Sequence, residues 1–209
     1  EDSYGAVPEK VRGAVERIFQ SSQALVIVTE NFLNLSRIEQ GRMEYTMAPA
    51  DMALLVHQVV EQLSPNAQKK DLLLSYNTKP ADLKEGDKTF IINMDLEKIR
   101  QVILNLLDNS IKYTPHGSIS ILVEKLSPRG VRVGIKDTGI GMKPETIAKL
   151  FRKFSRADDA GKTNAGGTGL GLFLAGELVR AHKGKIWAES EGEGKGSRFI
   201  LEIGTQKSG

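Results

Sequence analysis

Three polar residues on one face of a helix have the spacing and the chemistry of a metal and phosphate site. Asn105, Asn109 and Lys112 stand at positions i, i+4 and i+7, which a helix gathers into one stripe. Asparagine is a mediocre helix former, so two of them one turn apart favour a role beyond helix formation. Amide oxygens suit Mg²⁺, Lys112 would offset phosphate charge, and the neighbouring Tyr113 could lie against a base. The alternative is an ordinary solvated face.

A second group of residues directly follows a predicted strand. Asp137 begins the sequence D-T-G-I-G-M at residues 137–142. A carboxylate at a strand end can accept the exocyclic amine of adenine, and Gly139 and Gly141 let the backbone approach the base without a Cβ clash. The alternative is a tight turn, in which this pattern of aspartate and glycine is common.

A glycine-rich run precedes the last predicted helix. Residues 166–172 read G-G-T-G-L-G-L. Free N–H groups at a helix N-terminus, together with the helix dipole, favour phosphate binding there. The run is not a Walker motif, because no G-K-[ST] follows. It is not a convincing dinucleotide fingerprint either, since it follows a loop and lacks an acidic ribose ligand at the expected distance.

The segment between the two glycine motifs predicts a lid. Phe151 and Phe154 are one helical turn apart and could anchor the ends of a mobile loop. Residues 157–166 carry almost no apolar side chains, which predicts a flexible segment. Arg156 and Lys162 would reach phosphates if such a lid closed. Ordinary surface charge is the alternative for both, and for Lys162 it is the favoured one.

Composition excludes several classes of function. The chain has 209 residues, a formal net charge of +3 and 6% aromatic residues, which together give no argument for nucleic-acid binding. It contains no cysteine, which excludes disulfides and thiolate zinc sites. Its three histidines make a histidine-built metal site unfavourable. No apolar run approaches the roughly 20 residues that span a bilayer.

The apolar pattern predicts a long first helix that packs along another helix. Apolar residues recur from Val7 to Leu35 at alternating steps of four and three, interrupted only by Ser21, and Gly41 is a plausible stop. The alternative is an amphipathic helix that lies on the core of its own domain. We assign residues 1–46 to this region.

Residues 47–209 predict a second domain, in which helices cover one face of a mixed, mainly antiparallel sheet. This fold class is α+β, a two-layer sandwich. After a break at residues 47–51, helices are predicted at residues 51–70, 95–113 and 169–182, with a short one in the glycine-rich stretch. Strands are predicted at residues 72–77, 90–94, 118–126, 131–136, 185–190 and 197–203.

Four motifs in a fixed order resemble those of sensor histidine kinases. N-L-L-D-N-S-I-K-Y-T-P at residues 105–115 is similar to the N box of that family, and D-T-G-I-G-M is similar to its first glycine box. F-R-K-F-S-R resembles the F box, and G-T-G-L-G-L resembles the second glycine box. G-S-R-F at residues 196–199 resembles the closing motif, and residues 7–41 resemble the second helix of the dimerisation hairpin. The resemblance therefore covers the whole chain.

The resemblance implies a Bergerat-type site for ATP and Mg²⁺. Asn109 would coordinate the metal, with Asn105 beside it near the triphosphate, and Asp137 would accept the adenine amine. Asn105 and Arg156 are the residues implied for catalysis, and Lys112 and Arg156 would contact phosphates. The full set of implied nucleotide-binding residues is Asn105, Asn109, Lys112, Tyr113, Asp137, Gly139, Gly141, Met142, Phe154, Gly167, Thr168, Gly169, Leu170, Gly171 and Ser197.

The resemblance also implies γ-phosphoryl transfer to a histidine and relay to a response regulator. None of His57, His116 and His182 has the family's acceptor motif, a histidine followed by an acidic residue, so we expect the acceptor upstream of this fragment. The other expectations are a homodimer through the hairpin, no nucleic acid, and a position on the cytoplasmic side, with membrane attachment only through upstream segments.

Other functions of the same fold remain open at this point. A nucleotide-binding regulatory module without kinase activity and a serine kinase of the anti-sigma type are the two alternatives. Gyrase-like and chaperone-like ATPases are disfavoured, because they carry a glutamate base where Asn105 stands.

Overall fold

The chain divides into two compact units, Glu1–Met43 and Glu44–Gly209. A computed structural model describes residues 8–77, 90–126, 130–155 and 169–204. The division lies three residues before the boundary that the sequence predicts. No helix in these described ranges is long and apolar enough to cross a membrane.

The first unit contains one long helix, α1 (Glu9–Glu39). Pro8 precedes it, and the carbonyl of Pro8 accepts from the N–H groups of Val11 and Arg12. The helix ends at the predicted stop, where Gly41 has a φ of 64°. That backbone conformation suits glycine, because it has no Cβ. Large apolar side chains along α1 are exposed to solvent, among them Val11, Ile18, Leu25 and Phe32.

The second unit is built on a mixed sheet of five strands in its described part, with the order β2-β4-β5-β7-β6. Only the pairing of β2 with β4 is parallel, and the other three pairings are antiparallel. This confirms the predicted α+β sandwich. The strands are β2 (Leu73–Tyr76), β4 (Ser118–Leu126), β5 (Gly130–Asp137), β6 (Lys185–Glu189) and β7 (Ser197–Ile203).

Helices cover one face of this sheet and bury their apolar sides against it. They are α2 (Met52–Gln68), α3 (Leu96–Tyr113) and α5 (Gly171–Ala181), and the short α4 (Pro144–Lys149) follows β5. Asp51 caps α2 and Asp95 caps α3 through their carboxylates, as the sequence predicts. The apolar side of α3 is fully buried: Ile99, Val102, Ile103, Leu106 and Leu107.

A small two-stranded antiparallel ribbon corrects the prediction that residues 47–51 are a break between two domains. Residues 47–51 are not a simple break, because Ala48–Asp51 form the strand β1, which pairs with β3 (Ile91–Met94). Pro49 hides this strand from sequence patterns, yet proline is tolerated here because both strands of a two-stranded ribbon are edges. The strands predicted at 72–77 and 90–94 therefore lie in different sheets.

Two helix predictions also need correction. The apolar pattern of residues 51–70 predicts Leu54 on the buried side of α2, but Leu54 is 45% exposed, whereas its neighbours Ala53 and Leu55 are buried. The last helix begins at Gly171 rather than near Gly169. Gly169 has a φ of 69°, which is outside the helical region and delays the first turn.

A buried histidine joins the end of α5 to the start of α3. Nε2 of His182 accepts the backbone N–H of Asp95 at 2.9 Å, so the ring proton lies on Nδ1, which contacts the carbonyl of Leu178 at 2.7 Å. The Asp95 carboxylate in turn accepts the N–H of Thr46 at 2.8 Å, and the ring of Tyr45 meets that of His182 edge-on. Burial, and then the charges of Glu177 and Asp95, raise the pKa of Tyr45, so this phenol stays protonated.

Candidate functional site

The two asparagines of α3 have their amide nitrogens fixed by backbone carbonyls. Nδ2 of Asn105 donates to the carbonyl of Gly171 at 3.2 Å, and Nδ2 of Asn109 donates to the carbonyl of Asn105 at 2.6 Å. With both nitrogens engaged, the oxygen of each amide is the group left to accept or coordinate. The first contact also ties α3 to the first residue of α5, so the structure brings together two of the sequence motifs.

The carboxylate of Asp137 is buried at the end of β5, where it is only 3% exposed. Oδ1 accepts the N–H of Gly139 at 2.9 Å and that of Ser197 at 3.1 Å. Oδ2 receives one long contact, from the hydroxyl of Ser110 at 3.4 Å. Burial raises the pKa of Asp137 above its usual value, and these hydrogen bonds offset part of the rise. One oxygen is thus held firmly, while the other keeps capacity for a further donor.

The glycine motif after Asp137 lies against the C-terminal end of α3. The N–H of Ile140 donates to the carbonyl of Tyr113 at 3.1 Å. A Cβ at Gly139 would overlap that same carbonyl and would lie 2.9 Å from the hydroxyl of Thr114. Glycine is therefore required at residue 139 by the close approach of two backbones, a reason different from the approach to a base that the sequence predicts.

A loop from the far end of the chain supports the motif from its other side. The hydroxyl of Ser190 accepts the N–H of Met142 at 3.0 Å and donates to the carbonyl of Gly196 at 2.7 Å. Gly141 has a φ of 71°, and a Cβ there would overlap the carbonyl of Gly192. Residues 139–142 are consequently held between α3 and the segment that connects β6 to β7.

The last turn of α3 presents two of the predicted residues together. Nζ of Lys112 lies 5.5 Å from the centroid of the Tyr113 ring, which is a cation–π distance. The hydroxyl of Thr114 donates to the carbonyl of Ser110 at 2.6 Å and thereby closes the helix end. Both predicted side chains are half-buried.

The start of α5 faces Asn105 and follows a left-handed glycine. No side chain of the described residues caps this helix, so its first N–H groups lack the side-chain acceptor that α2 and α3 have. A Cβ at Gly169 would lie 2.8 Å from the carbonyl of Ser155 and close to Phe154, and a Cβ at Gly171 would lie 3.3 Å from the amide of Asn105. Phe154 has a φ of 56° and is 65% exposed.

Most predicted site residues lie in one connected region, and some lie outside the described part of the chain. Asn105, Asn109, Asp137 and the residues bonded to them join α3, the end of β5 and the start of α5. Arg156, Gly167 and Thr168, with Lys162 and the proposed lid, fall in residues 156–168, which the structure does not describe.

Sequence reasoning missed three supporting residues. Ser110 contacts the Asp137 carboxylate, Thr114 closes α3, and Ser190 holds the loop beside Met142. Ser110 and Thr114 could have been found, because small polar residues on the buried side of a helix need partners. The contact of Ser190 with Met142 carries no local signal, because the two residues are 48 positions apart.

The donor set fits a magnesium ion held mainly by a nucleotide. Within the described residues, no group of three or more His, Cys, Asp or Glu side chains could hold a metal. An amide oxygen is nevertheless a suitable hard ligand, and that of Asn109 is left to accept because its nitrogen is bonded to Asn105. Mg²⁺ takes few protein ligands and completes its shell from phosphate and water.

Comparison with protein families gives one match that covers more than half of the chain. The family described as histidine kinase-, DNA gyrase B- and HSP90-like ATPase matches residues 94–207. The circadian input-output histidine kinase CikA of Synechococcus elongatus is 32% identical over 205 residues, which are 98% of this chain and 26% of CikA. The chain therefore spans about a quarter of the length of this relative.

Solved structures share the architecture. Full-length ShkA in complex with AMPPNP superposes with a TM-score of 0.75 at 26% identity, over 97% of this chain and 40% of ShkA. The catalytic domain of histidine kinase ThkA superposes with a TM-score of 0.61 at 29% identity, over 77% of this chain and 97% of that domain.

Proposed function

The chain belongs to the histidine kinase-, DNA gyrase B- and HSP90-like ATPase family, and we propose that it is the ATP-binding catalytic part of a sensor histidine kinase. In this proposal it transfers the γ-phosphoryl group of ATP to a histidine outside the present chain, for relay to a response regulator. The fold is the Bergerat ATPase fold of histidine kinase catalytic domains. The first unit is proposed as part of the dimerisation region, and the second unit as the catalytic domain.

The observation that carries the proposal is the buried Asp137 carboxylate. Its Oδ1 is already held by two backbone N–H groups, whereas Oδ2 receives, from the described residues, only the long contact with Ser110. An exocyclic amine is the kind of donor that completes such an oxygen. Adenine offers such an amine.

The remaining residues bind and orient the triphosphate. Asn109 offers its amide oxygen to the metal, and Asn105 lies between Asn109 and the start of α5. Bound Mg²⁺ would neutralise charge on the phosphate oxygens. Lys112 and the N–H groups at the start of α5 add positive potential, and Arg156 with Gly167–Thr168 is proposed to act on the phosphates from the loop side.

This arrangement suits phosphoryl transfer better than steady hydrolysis of ATP. Phosphoryl transfer depends on positioning and charge neutralisation more than on covalent help from the enzyme. Hydrolysis needs a base that activates water, and Asn105, at the place where related ATPases carry a glutamate, cannot remove a proton. AMPPNP, with which the similar ShkA was solved, is an ATP analogue, which supports adenine nucleotide as the ligand.

The acceptor is proposed to be supplied from outside these 209 residues. His182 is buried and bonded at both ring nitrogens, and His57 is hydrogen-bonded to the hydroxyl of Tyr76 at 2.9 Å. His116 is exposed in the turn after α3 but lacks the acceptor motif. We place the reaction on the cytoplasmic side, where ATP is available.

Two measurements on the intact chain test the proposal. Calorimetric titration should show micromolar-to-millimolar binding of Mg-ATP, which Asn109→Ala should abolish and His116→Ala should leave unchanged. With radiolabelled ATP, the chain should phosphorylate a supplied dimerisation hairpin that carries the acceptor histidine. If the chain binds nucleotide but transfers no phosphate to any such hairpin, it is a regulatory module rather than a kinase. If the radiolabel is found on serine, the chain is a serine kinase of the anti-sigma type.

A further inference from the structure

A lysine that belongs to none of the sequence motifs closes the end of helix α3. Lys70 lies in the turn after α2 and is half-buried. Its Nζ donates to the carbonyl oxygens of Ile111 at 2.7 Å, Lys112 at 3.0 Å and Thr114 at 3.3 Å. An ammonium group has three N–H donors, so all three are engaged by one helix end.

These contacts complete the hydrogen bonding of the last turn of α3. The last four carbonyls of a helix have no partner within the helix. In α3 the carbonyl of Ser110 is bonded by the Thr114 hydroxyl, and that of Tyr113 is bonded by the N–H of Ile140. Lys70 supplies the two that remain, those of Ile111 and Lys112. A cation at a helix C-terminus also interacts favourably with the helix dipole.

This helix end is one wall of the proposed base site. Lys112 and Tyr113 belong to the turn that Lys70 holds, and the carbonyl of Tyr113 accepts the N–H of Ile140, the residue after Gly139. Gly139 in turn donates to the Asp137 carboxylate. A shift of this turn by a few tenths of an ångström would therefore reach both the Tyr113 ring and the loop that carries the adenine acceptor.

We propose that Lys70 is a positioning residue for the base side of the nucleotide site, which it maintains by fixing the last turn of α3 against the loop at Gly139. This rests on the proposed function, since it assumes an adenine nucleotide at Asp137. Lys70 acts through backbone carbonyls rather than by touching the nucleotide. Its effect is therefore common to every adenine nucleotide, whatever the number of phosphates.

The test is nucleotide affinity in the intact chain carrying Lys70→Met, which keeps the aliphatic stem but removes the donors. We expect the Kd values of Mg-ADP and Mg-ATP to rise by the same factor of about ten, which corresponds to about 1.4 kcal/mol. Lys70→Arg, which keeps a cationic donor, should recover part of the loss. In the same variants, hydrogen exchange at the N–H of Ile140 should be faster in Lys70→Met than in the parent chain.

Two matched variants separate positioning from charge and from general destabilisation. Lys69→Met removes the same charge from the exposed neighbouring position and should change neither Kd. Arg132→Met breaks the paired contacts of Arg132 with Glu202 between β5 and β7, five residues along β5 from Asp137. It should lower stability, but it should change neither the ratio of the ADP and ATP Kd values nor the exchange at Ile140.

The outcomes distinguish this inference from the proposed function. A parent chain that binds neither nucleotide refutes the proposed function, and with it the base site that Lys70 would position. If the parent chain binds both nucleotides, and Lys70→Met binds them with the same Kd values and shows equally slow exchange at Ile140, the inference about Lys70 is refuted and the proposed function is not. A loss confined to ATP also refutes it, because Lys70 would then act on the terminal phosphate.

Discussion

At the scale of single residues, the burial of the Asp137 carboxylate has a cost in stability. Its burial raises the pKa, which means that the charged form is less well accommodated in the folded chain than in the unfolded chain. At neutral pH the group is nevertheless proposed to act as an ionised acceptor. The site therefore contains a charge whose desolvation costs folding free energy.

Asp137→Asn should relieve this cost and weaken ATP binding. Asparagine can still accept from Gly139 and Ser197, but its second group is an NH₂ that opposes the adenine amine. We expect affinity for Mg-ATP to fall by about 10- to 100-fold, the loss of a hydrogen bond to a charged group. Calorimetric titration measures the loss, and thermal unfolding at pH 7.5 should show a melting temperature no lower than that of the parent chain.

The pH dependence of stability follows from the direction of this shift. Because the folded-state pKa of Asp137 lies above the unfolded-state pKa, the folded chain takes up the proton first as the pH falls. Stability from this group is therefore gained as the pH falls through the raised pKa, and it is lost again as the pH rises. The stability of the parent chain relative to Asp137→Asn should increase as the pH is lowered from 7.5 towards about 4, the ordinary range of an aspartate pKa. A difference in stability that stays flat as the pH is lowered would contradict the assignment.

Gly139→Ala tests the close approach of two backbones. The added methyl would overlap the carbonyl of Tyr113 and crowd the Thr114 hydroxyl, and neither can move without shifting the end of α3. We expect Gly139→Ala to lose about 1–3 kcal/mol of unfolding free energy and to bind nucleotide more weakly. Gly13→Ala, within α1 and without a close neighbour, should instead gain about 0.5–1 kcal/mol. Chemical denaturation measures the unfolding free energy of both variants. If Gly139→Ala were as stable as Gly13→Ala, the added methyl at residue 139 would not be crowded.

At the scale of elements, α3 is held at each end by its own capping residue and by one residue from another element. Its start is fixed by Asp95 and His182, and its end by Thr114 and Lys70. The helix that carries Asn105 and Asn109 is thus anchored to α5 at one end and to α2 at the other. Rigid support of this kind is what a site needs if positioning carries the chemistry.

His182→Phe should destabilise the anchor at the start of α3. The phenyl ring keeps the shape but leaves the buried N–H of Asp95 without its acceptor, while the Leu178 carbonyl retains a bond from the backbone N–H of residue 182. The expected cost is about 1–3 kcal/mol of unfolding free energy. His116→Ala, at an exposed position, serves as the control in the same urea denaturation. Equal losses in both variants would contradict the role of His182.

The elements that could be predicted are those whose signal is local. The helix α3 has an N-cap aspartate, a buried apolar side and a stop at Pro115, so its bounds and its core residues follow from sequence. The strand β1 could not be predicted, because four residues that include Pro49 form a strand only through pairing with β3, which begins forty residues later. The exposure of Leu54 likewise depends on where the helix lies and not on its pattern.

The candidate site divides in the same way. Asn105, Asn109 and Asp137 could be identified because each belongs to a short motif whose spacing reflects its chemistry. Lys70 and Ser190 could not, because their partners are backbone atoms that other parts of the chain bring within reach. Sequence patterns thus predict the groups offered to a ligand better than the groups that hold them in place.

At the scale of the whole molecule, the helix of the first unit exposes several large apolar side chains to solvent. Ile18, Leu25 and Phe32 are each at least 60% exposed. Contiguous exposed apolar surface of this kind marks an interaction site. It agrees with the proposal that α1 belongs to a dimerisation region.

Charged substitutions on α1 should therefore reduce self-association. We expect the intact chain to associate in a concentration-dependent manner in sedimentation velocity. The double variant Leu25→Glu/Phe32→Glu should weaken that association at least about tenfold, because burying each of these apolar side chains contributes about 1.5–3 kcal/mol. Leu73→Glu removes a leucine that is 74% exposed in the second unit and should have no effect. A parent chain that stays monomeric at every concentration would contradict the prediction.

The position of β7 in the sheet also has a consequence for biosynthesis. β7 lies between β5 and β6, although its residues follow both of them in sequence, and its first residue, Ser197, donates to Asp137. Until residues 197–203 have left the ribosome, the long strand β5 remains an open edge and the carboxylate lacks one of its donors. A translation product that stops short of β7 should bind ATP poorly and should be prone to aggregate through that edge. Such a product would be a substrate for chaperones and proteases.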